Sequence, residues 1–210
     1  MEHSTQIEAN LRDVFFANGQ KIEHVYFPLT GMISLVTQLK DGTSLESMTV
    51  GCEGVAGLPL FHGVDIARTM AMCQIEGEFL RVPAKAFARL LKDAPQLVFL
   101  LHRYSQFAHD VVAQSAACNS MHLIEQRCAR WLLISSDAVG TGPFGLTHEF
   151  LSQMLAVRRP GVTVAVGELE RMKLIAHRYG RITILDKEGL EKAACECYRT
   201  VKDRGRELLA

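Results

Sequence analysis

At 210 residues, 48% apolar and 22% charged, the chain has the composition of an ordinary globular protein with room for one large or two small domains, and two are expected. Lys plus Arg balance Asp plus Glu at 23 each, which excludes an unspecific polycation. The halves differ, however: from Thr141 onward there are 12 basic and 9 acidic residues, against 11 and 14 before it. No apolar run approaches the roughly 20 residues of a bilayer-spanning helix, and residues 1–10 are polar without a signal-peptide core, so a cytoplasmic protein with no membrane partner is expected.

Between Leu11 and Val82 glycines recur at short intervals, and the runs between them are rich in β-branched and aromatic residues. This spacing predicts short antiparallel strands over His24–Phe27, Met32–Thr37 and Ser44–Val50, with Asp41-Gly42 turning a hairpin because a positive φ is cheap there. A β-roll or jelly roll fits better than an open sheet.

After Pro83 the periodicity changes. Ala84–Lys92 reads as a short helix, and a long one begins at Pro95 and runs to about Asn119. In it Leu97, Tyr104, Val111 and Cys118 recur every seven residues, with Leu100 and Phe107 between them. These six residues are the expected dimer contact. The stripe, widened by Leu101, Ala108 and Val112, has room for the β domain on one side and a second copy of the helix on the other. A core helix within a monomer is the alternative. A further helix follows over about His122–Ser136, and Val139 to Gly145 is a Gly- and Pro-rich loop. The expected domains are 1–119 and 120–210.

Thr147 is a good N-cap for a helix whose Leu151, Met154 and Leu155 form a buried stripe. A short turn, Ala156 to Arg159, leads to Pro160, which suits the first turn of a second helix running to about Lys173. Two short helices joined this way form a helix-turn-helix unit. Arg158 and Arg159 stand at the positive end of the second helix dipole, an unfavourable place for cations unless phosphate or guanine meets them. Arg158, Arg159, Gly161, Thr163 and Val164 are therefore the candidate base contacts. Ile182 and Ile184 alternate with Arg181 and Thr183 behind a turn at Tyr179-Gly180, which predicts a hairpin wing. Thr147, His148, Arg178 and Arg181 are the candidate contacts to the DNA backbone. Asp186 to Arg204 reads as one closing helix.

The six cysteines are scattered without a C-x-x-C pair and read as reduced thiols. Cys195-Glu196-Cys197 is too sparse a signal to predict a metal, and none is expected. His102 and His109 share a helix face and suit an interface or solvent.

The runs Val157-Arg158-Arg159-Pro160-Gly161-Val162-Thr163 and Gly180-Arg181-Ile182-Thr183-Ile184-Leu185-Asp186 closely resemble the DNA-binding domain of the Crp/Fnr family of bacterial transcription regulators. Glu23-His24-Val25-Tyr26-Phe27-Pro28 and the glycine-punctuated roll resemble that family's cyclic-nucleotide-binding-like sensor domain. The resemblance runs from about Leu11 to Tyr198. It implies an α+β fold with an N-terminal antiparallel β-roll, a long dimerisation helix and a C-terminal winged helix-turn-helix. It also implies a homodimer on a pseudo-palindromic operator with half-sites about 34 Å apart, and contact with RNA polymerase.

The sequence departs from the family at three points. Glu53, Arg68 and Thr69 suggest an effector pocket, since a guanidinium and a hydroxyl can grip phosphate. The interval from Glu53 to Arg68 is longer than in cyclic-AMP-binding members, and Val112 and Ala113 stand where those members offer the purine a polar pair. Cyclic AMP is therefore not expected, and no cofactor is predicted. An iron-sulfur cluster has no support either, because no cysteine precedes Cys52. Ala156 replaces the family's turn glycine, at a cost of about 1 kcal/mol if that residue is left-handed. The competing reading is a small-molecule, nucleotide-like binding module whose helix-turn-helix mediates protein interaction. No nucleophile elbow, P-loop or His-Glu-x-x-His occurs, so no enzyme is expected.

Overall fold

The computed structural model describes residues 4–140 and 142–209. Thr141, inside the expected loop, lies outside the described residues, as do 1–3 and 210 at the ends of the two expected domains.

Among the described residues seven strands form the N-terminal part: β1 (Thr5–Ala9), β2 (Val14–Phe16), β3 (His24–Pro28), β4 (Met32–Gln38), β5 (Ser44–Val50), β6 (Met70–Ile75) and β7 (Gly77–Pro83). They are arranged as two antiparallel sheets of order β1-β7-β3 and β2-β6-β4-β5. The three strands expected from sequence are β3, β4 and β5. Their alternating side chains meet in one core that includes Val25, Ile33, Val50, Cys73, Phe79 and Val82.

Helix α1 (Ala84–Asp93) leads into α2 (Pro95–Met121), which closes the roll: Leu101, Tyr104, Phe107, Ala108 and Val111 all belong to the roll's core. A Cβ on Gly54 would collide with the Tyr104 ring, so the loop after β5 can approach α2 this closely only with glycine there. The expected dimer contact is corrected by this packing. Tyr104, Phe107, Val111 and Cys118 are 0–6% exposed and are used inside the protomer, whereas Leu97 is half-buried and Leu100 is open to solvent. The outward face lies about half a turn away, on the opposite side of the helix. Phe99, Leu100, Gln106, His109, Val112, Ala113, Ala116 and Met121 are exposed along it.

Helix α3 (Ile124–Val139) begins the second core, followed by β8 (Phe144–Gly145), α4 (His148–Leu155), α5 (Arg159–Arg171), β9 (Ile175–Arg178), β10 (Arg181–Ile184), α6 (Lys187–Ala193) and α7 (Cys197–Leu209). Leu132, Leu133, Leu151, Leu169, Ile175 and Ile182 are among its largest fully buried side chains. The single closing helix expected from Asp186 to Arg204 is two: α6 ends at Ala193, and α7 turns back to lay Val201 and Leu208 on the β-roll core.

The two parts also touch directly. Trp131 on α3 donates its indole N–H to Glu46 on β5 at 3.0 Å, and Gln74 on β6 donates to the Ser135 hydroxyl at 3.2 Å. The Ser34 hydroxyl sits between Glu46 and Gln74, 2.5 Å from Glu46 Oε2. No helix among the described residues is long and apolar enough to cross a membrane.

Candidate nucleic-acid interface

The Thr147 hydroxyl accepts the Phe150 N–H at 3.1 Å and fixes the start of α4. The helix stops at Ala156, which takes the left-handed conformation (φ 49°, ψ 47°) and directs its N–H back to the last turn. Ala156, which stands in place of a turn glycine, is thus left-handed. Arg127, buried on α3, donates to the Leu155 carbonyl at 2.5 Å and ties this turn to the core. Sequence reasoning passed over Arg127; its signal is a cation on the otherwise apolar stripe that holds Cys128, Trp131 and Leu132.

Helix α5 buries Val162, Ala165, Val166 and Leu169 and turns Arg159, Pro160, Thr163, Val164, Gly167 and Arg171 outward. Val164 is 59% exposed. Arg158, just ahead of the helix, and Arg159 are exposed, and among the described residues neither guanidinium is hydrogen-bonded or ion-paired. Four of the five expected base contacts therefore share one open face. Gly161 does not belong to it: a Cβ there would stand 3.4 Å from the Ile124 side chain, because position 161 lies on the side of the helix that meets α3. Arg171, paired with Glu168 at 2.8 Å, lies one turn beyond Gly167 and extends the exposed face.

The wing is present, with β9 and β10 paired from Ile175–Ile184 to Arg178–Arg181. Tyr179 (φ 51°) and Gly180 (φ 71°) form its turn, both left-handed as the twist of a two-residue hairpin requires. The Tyr179 side chain is fully exposed at the tip. Arg178 has no side-chain partner there among the described residues, but Arg181 donates to the Pro143 carbonyl at 2.8 Å and pairs with Gly145 of β8, which puts it to structural use. His148 is likewise turned inward. Its ring stacks on His177 at 4.8 Å and lies 3.1 Å from the Thr163 hydroxyl, joining α4, α5 and the wing. Burial, together with the neighbouring His177 and Arg159, holds its pKa below the ordinary histidine value.

The expected effector pocket is not assembled. Glu53 accepts the Gly51 N–H at 2.8 Å and closes its own turn. The sheet register pairs Ile33 with both Val50 and Cys73, and Val36 with Met70, so the turn after β5 and the Arg68-Thr69 pair before β6 lie at opposite ends of the sheet. Glu53 instead borders a cleft of about 550 Å³ between the roll, α2, α3 and α7, with Phe107, Trp131 and Tyr198 on its wall. The cysteines are not all scattered either: Cys118, His122, Cys195 and Cys197 come together with every ligand atom within 4.8 Å of the others.

Residues 126–193, which include most of α3, the two reading helices and the wing, match the family model of the Crp-like helix-turn-helix domain. This segment is thus similar to a Crp-like helix-turn-helix domain. Solved structures extend the likeness to most of the chain. FixK2 from Bradyrhizobium japonicum superposes with a TM-score of 0.75 at 16% identity, over 91% of this chain and 98% of that one. A CRP/FNR-family transcriptional regulator from Thermus thermophilus gives 0.70 at 23% identity, over 90% and 98%. The c-di-GMP-responsive regulator CLP from Xanthomonas campestris gives 0.69 at 15% identity, over 87% and 94%. The β-roll, long helix and Crp-like domain together are thus the Crp/Fnr fold. Curated protein sequences give no match.

Proposed function

We propose that the protein is a sequence-specific, DNA-binding transcription regulator that acts as a homodimer on a pseudo-palindromic operator. One observation carries the reading: at the start of α5 stand two arginines that are unpaired among the described residues, followed on its open face by Thr163, Val164 and Gly167, groups cationic or small enough to enter a major groove. Arg158 and Arg159 pair with guanine edges or phosphate, and the Thr163 and Val164 methyls meet thymine. Thr147 at the start of α4 and Arg178 on the wing hold the sugar-phosphate backbone. The exposed apolar and small residues of α2, from Phe99 to Met121, pair with the same face of a second copy. Contact with RNA polymerase follows from the same reading. Cyclic AMP is not part of this reading, and the proposed function is regulatory, not enzymatic.

Selection of bound duplexes from a random pool, followed by anisotropy titration with the selected operator and a scrambled duplex, tests the reading. Wild type is expected to favour the operator by at least about 10³-fold. Arg159→Glu should remove that preference with the thermal transition unchanged. Equal binding of the operator by Arg159→Glu and wild type would refute the role given to α5.

A further inference from the structure

Four side chains distant in sequence converge where α2 ends and α7 begins. Cys118 and His122 stand one helical turn apart at the end of α2, and Cys195 and Cys197 flank the break between α6 and α7. The Cys118 and Cys195 sulfurs are 3.5 Å apart, and the Cys197 sulfur is 3.6 Å from His122 Nδ1. Metal-ligand bonds of about 2.3 Å to sulfur and 2.0 to 2.1 Å to nitrogen make the edges of a tetrahedron about 3.8 Å (S to S) and about 3.5 Å (S to N). Both separations match, and a disulfide, at about 2.05 Å, is excluded for this arrangement. None of the six separations exceeds 4.8 Å.

The surroundings are those of metal ligands. His122 offers Nδ1 to the cluster while its Nε2 lies 3.1 Å from the Glu196 carboxylate, the arrangement that fixes a ligating imidazole's tautomer and orientation. Gln114 donates to the Cys197 sulfur at 3.0 Å, and Arg130 reaches the Cys118 sulfur at 3.8 Å, so two of the three sulfurs meet polar donors from outside the cluster. Cys118, Cys195 and Cys197 are 0–4% exposed. Three thiolates and one imidazole leave no open position, as in structural and not catalytic sites, and soft sulfur donors in tetrahedral array select zinc.

We propose that Cys118, His122, Cys195 and Cys197 bind a structural zinc ion that clasps the foot of α2 to the start of α7. Every residue of the reading module, from Leu123 to Ala194, lies in the loop closed by this clasp. The metal thus sets how α4, α5 and the wing stand relative to the long helix. The site is independent of the DNA-binding assignment, because it uses no residue of the α5 face or the wing tip.

The test is elemental analysis and cobalt substitution of the full-length protein. Protein purified without chelator or affinity-tag histidines should carry about one zinc per chain, and cobalt(II) added to the metal-depleted protein should develop sulfur-to-metal charge transfer and tetrahedral d–d bands. The double variant Cys195→Ser, Cys197→Ser should lose the metal, whereas Cys52→Ser, at an exposed cysteine outside the cluster, should keep it. Glu196→Gln leaves all four ligands in place and should weaken zinc binding about 10- to 100-fold, read by competition with a chromogenic chelator. Metal removal should lower Tm, and zinc should restore it. Wild-type protein that takes up neither zinc nor cobalt, or that isolates with a Cys118–Cys195 disulfide, would overturn the proposal. So would a folded double variant that retains stoichiometric zinc.

Discussion

Arg178 and Arg181 face each other across the wing, yet they are not equivalent. Arg181 is engaged by the Pro143 carbonyl, whereas Arg178 has no competing partner among the described residues. Arg178→Ala should therefore weaken binding to all duplexes about equally and reduce the slope of log affinity against log salt by about 1. Arg181→Ala should change that slope less and lower Tm more, and salt titration beside thermal melting separates the two. Gly167 separates stability from recognition in the same way. Its absent Cβ would meet nothing within 4 Å, so Gly167→Ala should stabilise α5 by about 1 kcal/mol in chemical denaturation. The added methyl stands on the face assigned to the major groove and should reduce operator affinity; a more stable variant with unchanged affinity would remove Gly167 from the interface. The arginines of α5 are legible in sequence because Pro160 and the buried valines fix the helix phase. The engagement of Arg181 and His148 is not, since their partners come from the loop before β8, from α5 and from β9.

At the scale of elements, α2 shows where a periodic pattern is ambiguous. The seven-residue repeat of Leu97, Tyr104, Val111 and Cys118 is genuine, but a repeat reports only that a face is buried, and here the β-roll and α7 bury most of it. Phe107→Ala should accordingly cost about 3 to 5 kcal/mol in equilibrium unfolding. Val112→Glu, on the exposed side, should leave each protomer folded and shift the species measured by light scattering from dimer to monomer. A Val112→Glu protein that stays dimeric would move the interface elsewhere. The break between α6 and α7 has no signal at all: Ala193-Ala194-Cys195-Glu196-Cys197 contains neither glycine nor proline. It falls where Cys195 turns toward Cys118.

At the scale of the whole molecule, the β-roll and the reading module meet through Glu46. Burial raises its pKa to about 7 from 4.5, against the opposing hydrogen bonds from Ser34 and Trp131. Ser34 has one hydroxyl proton and two oxygen neighbours, Glu46 Oε2 and Gln74 Oε1, so the chain of hydrogen bonds closes when Glu46 carries a proton of its own. The folded protein then binds a proton that the unfolded chain has released, and between about pH 4.5 and about 7 this group's contribution to stability falls as pH rises. Glu46→Gln, a neutral mimic of the protonated acid, should match wild type in Tm at the acidic end of this window. Its advantage should grow up to about pH 7 and then level off. A difference in Tm independent of pH would show that Glu46 is already ionised in the folded protein.

Local sequence determined a great deal here. Glycine spacing marked out β3, β4 and β5, and the proline and capping residues placed α4 and α5. Tyr179-Gly180 marked the wing, because each of these signals acts through backbone preferences a few residues long. Tertiary structure decided which face of α2 remains open, that Glu53 and Arg68 stay apart, and that Cys118 and His122 meet Cys195 and Cys197. Those outcomes depend on strand register and on helices packed across long stretches of chain. Only the folded backbone, and not any local pattern, brings such distant side chains within bonding distance of each other.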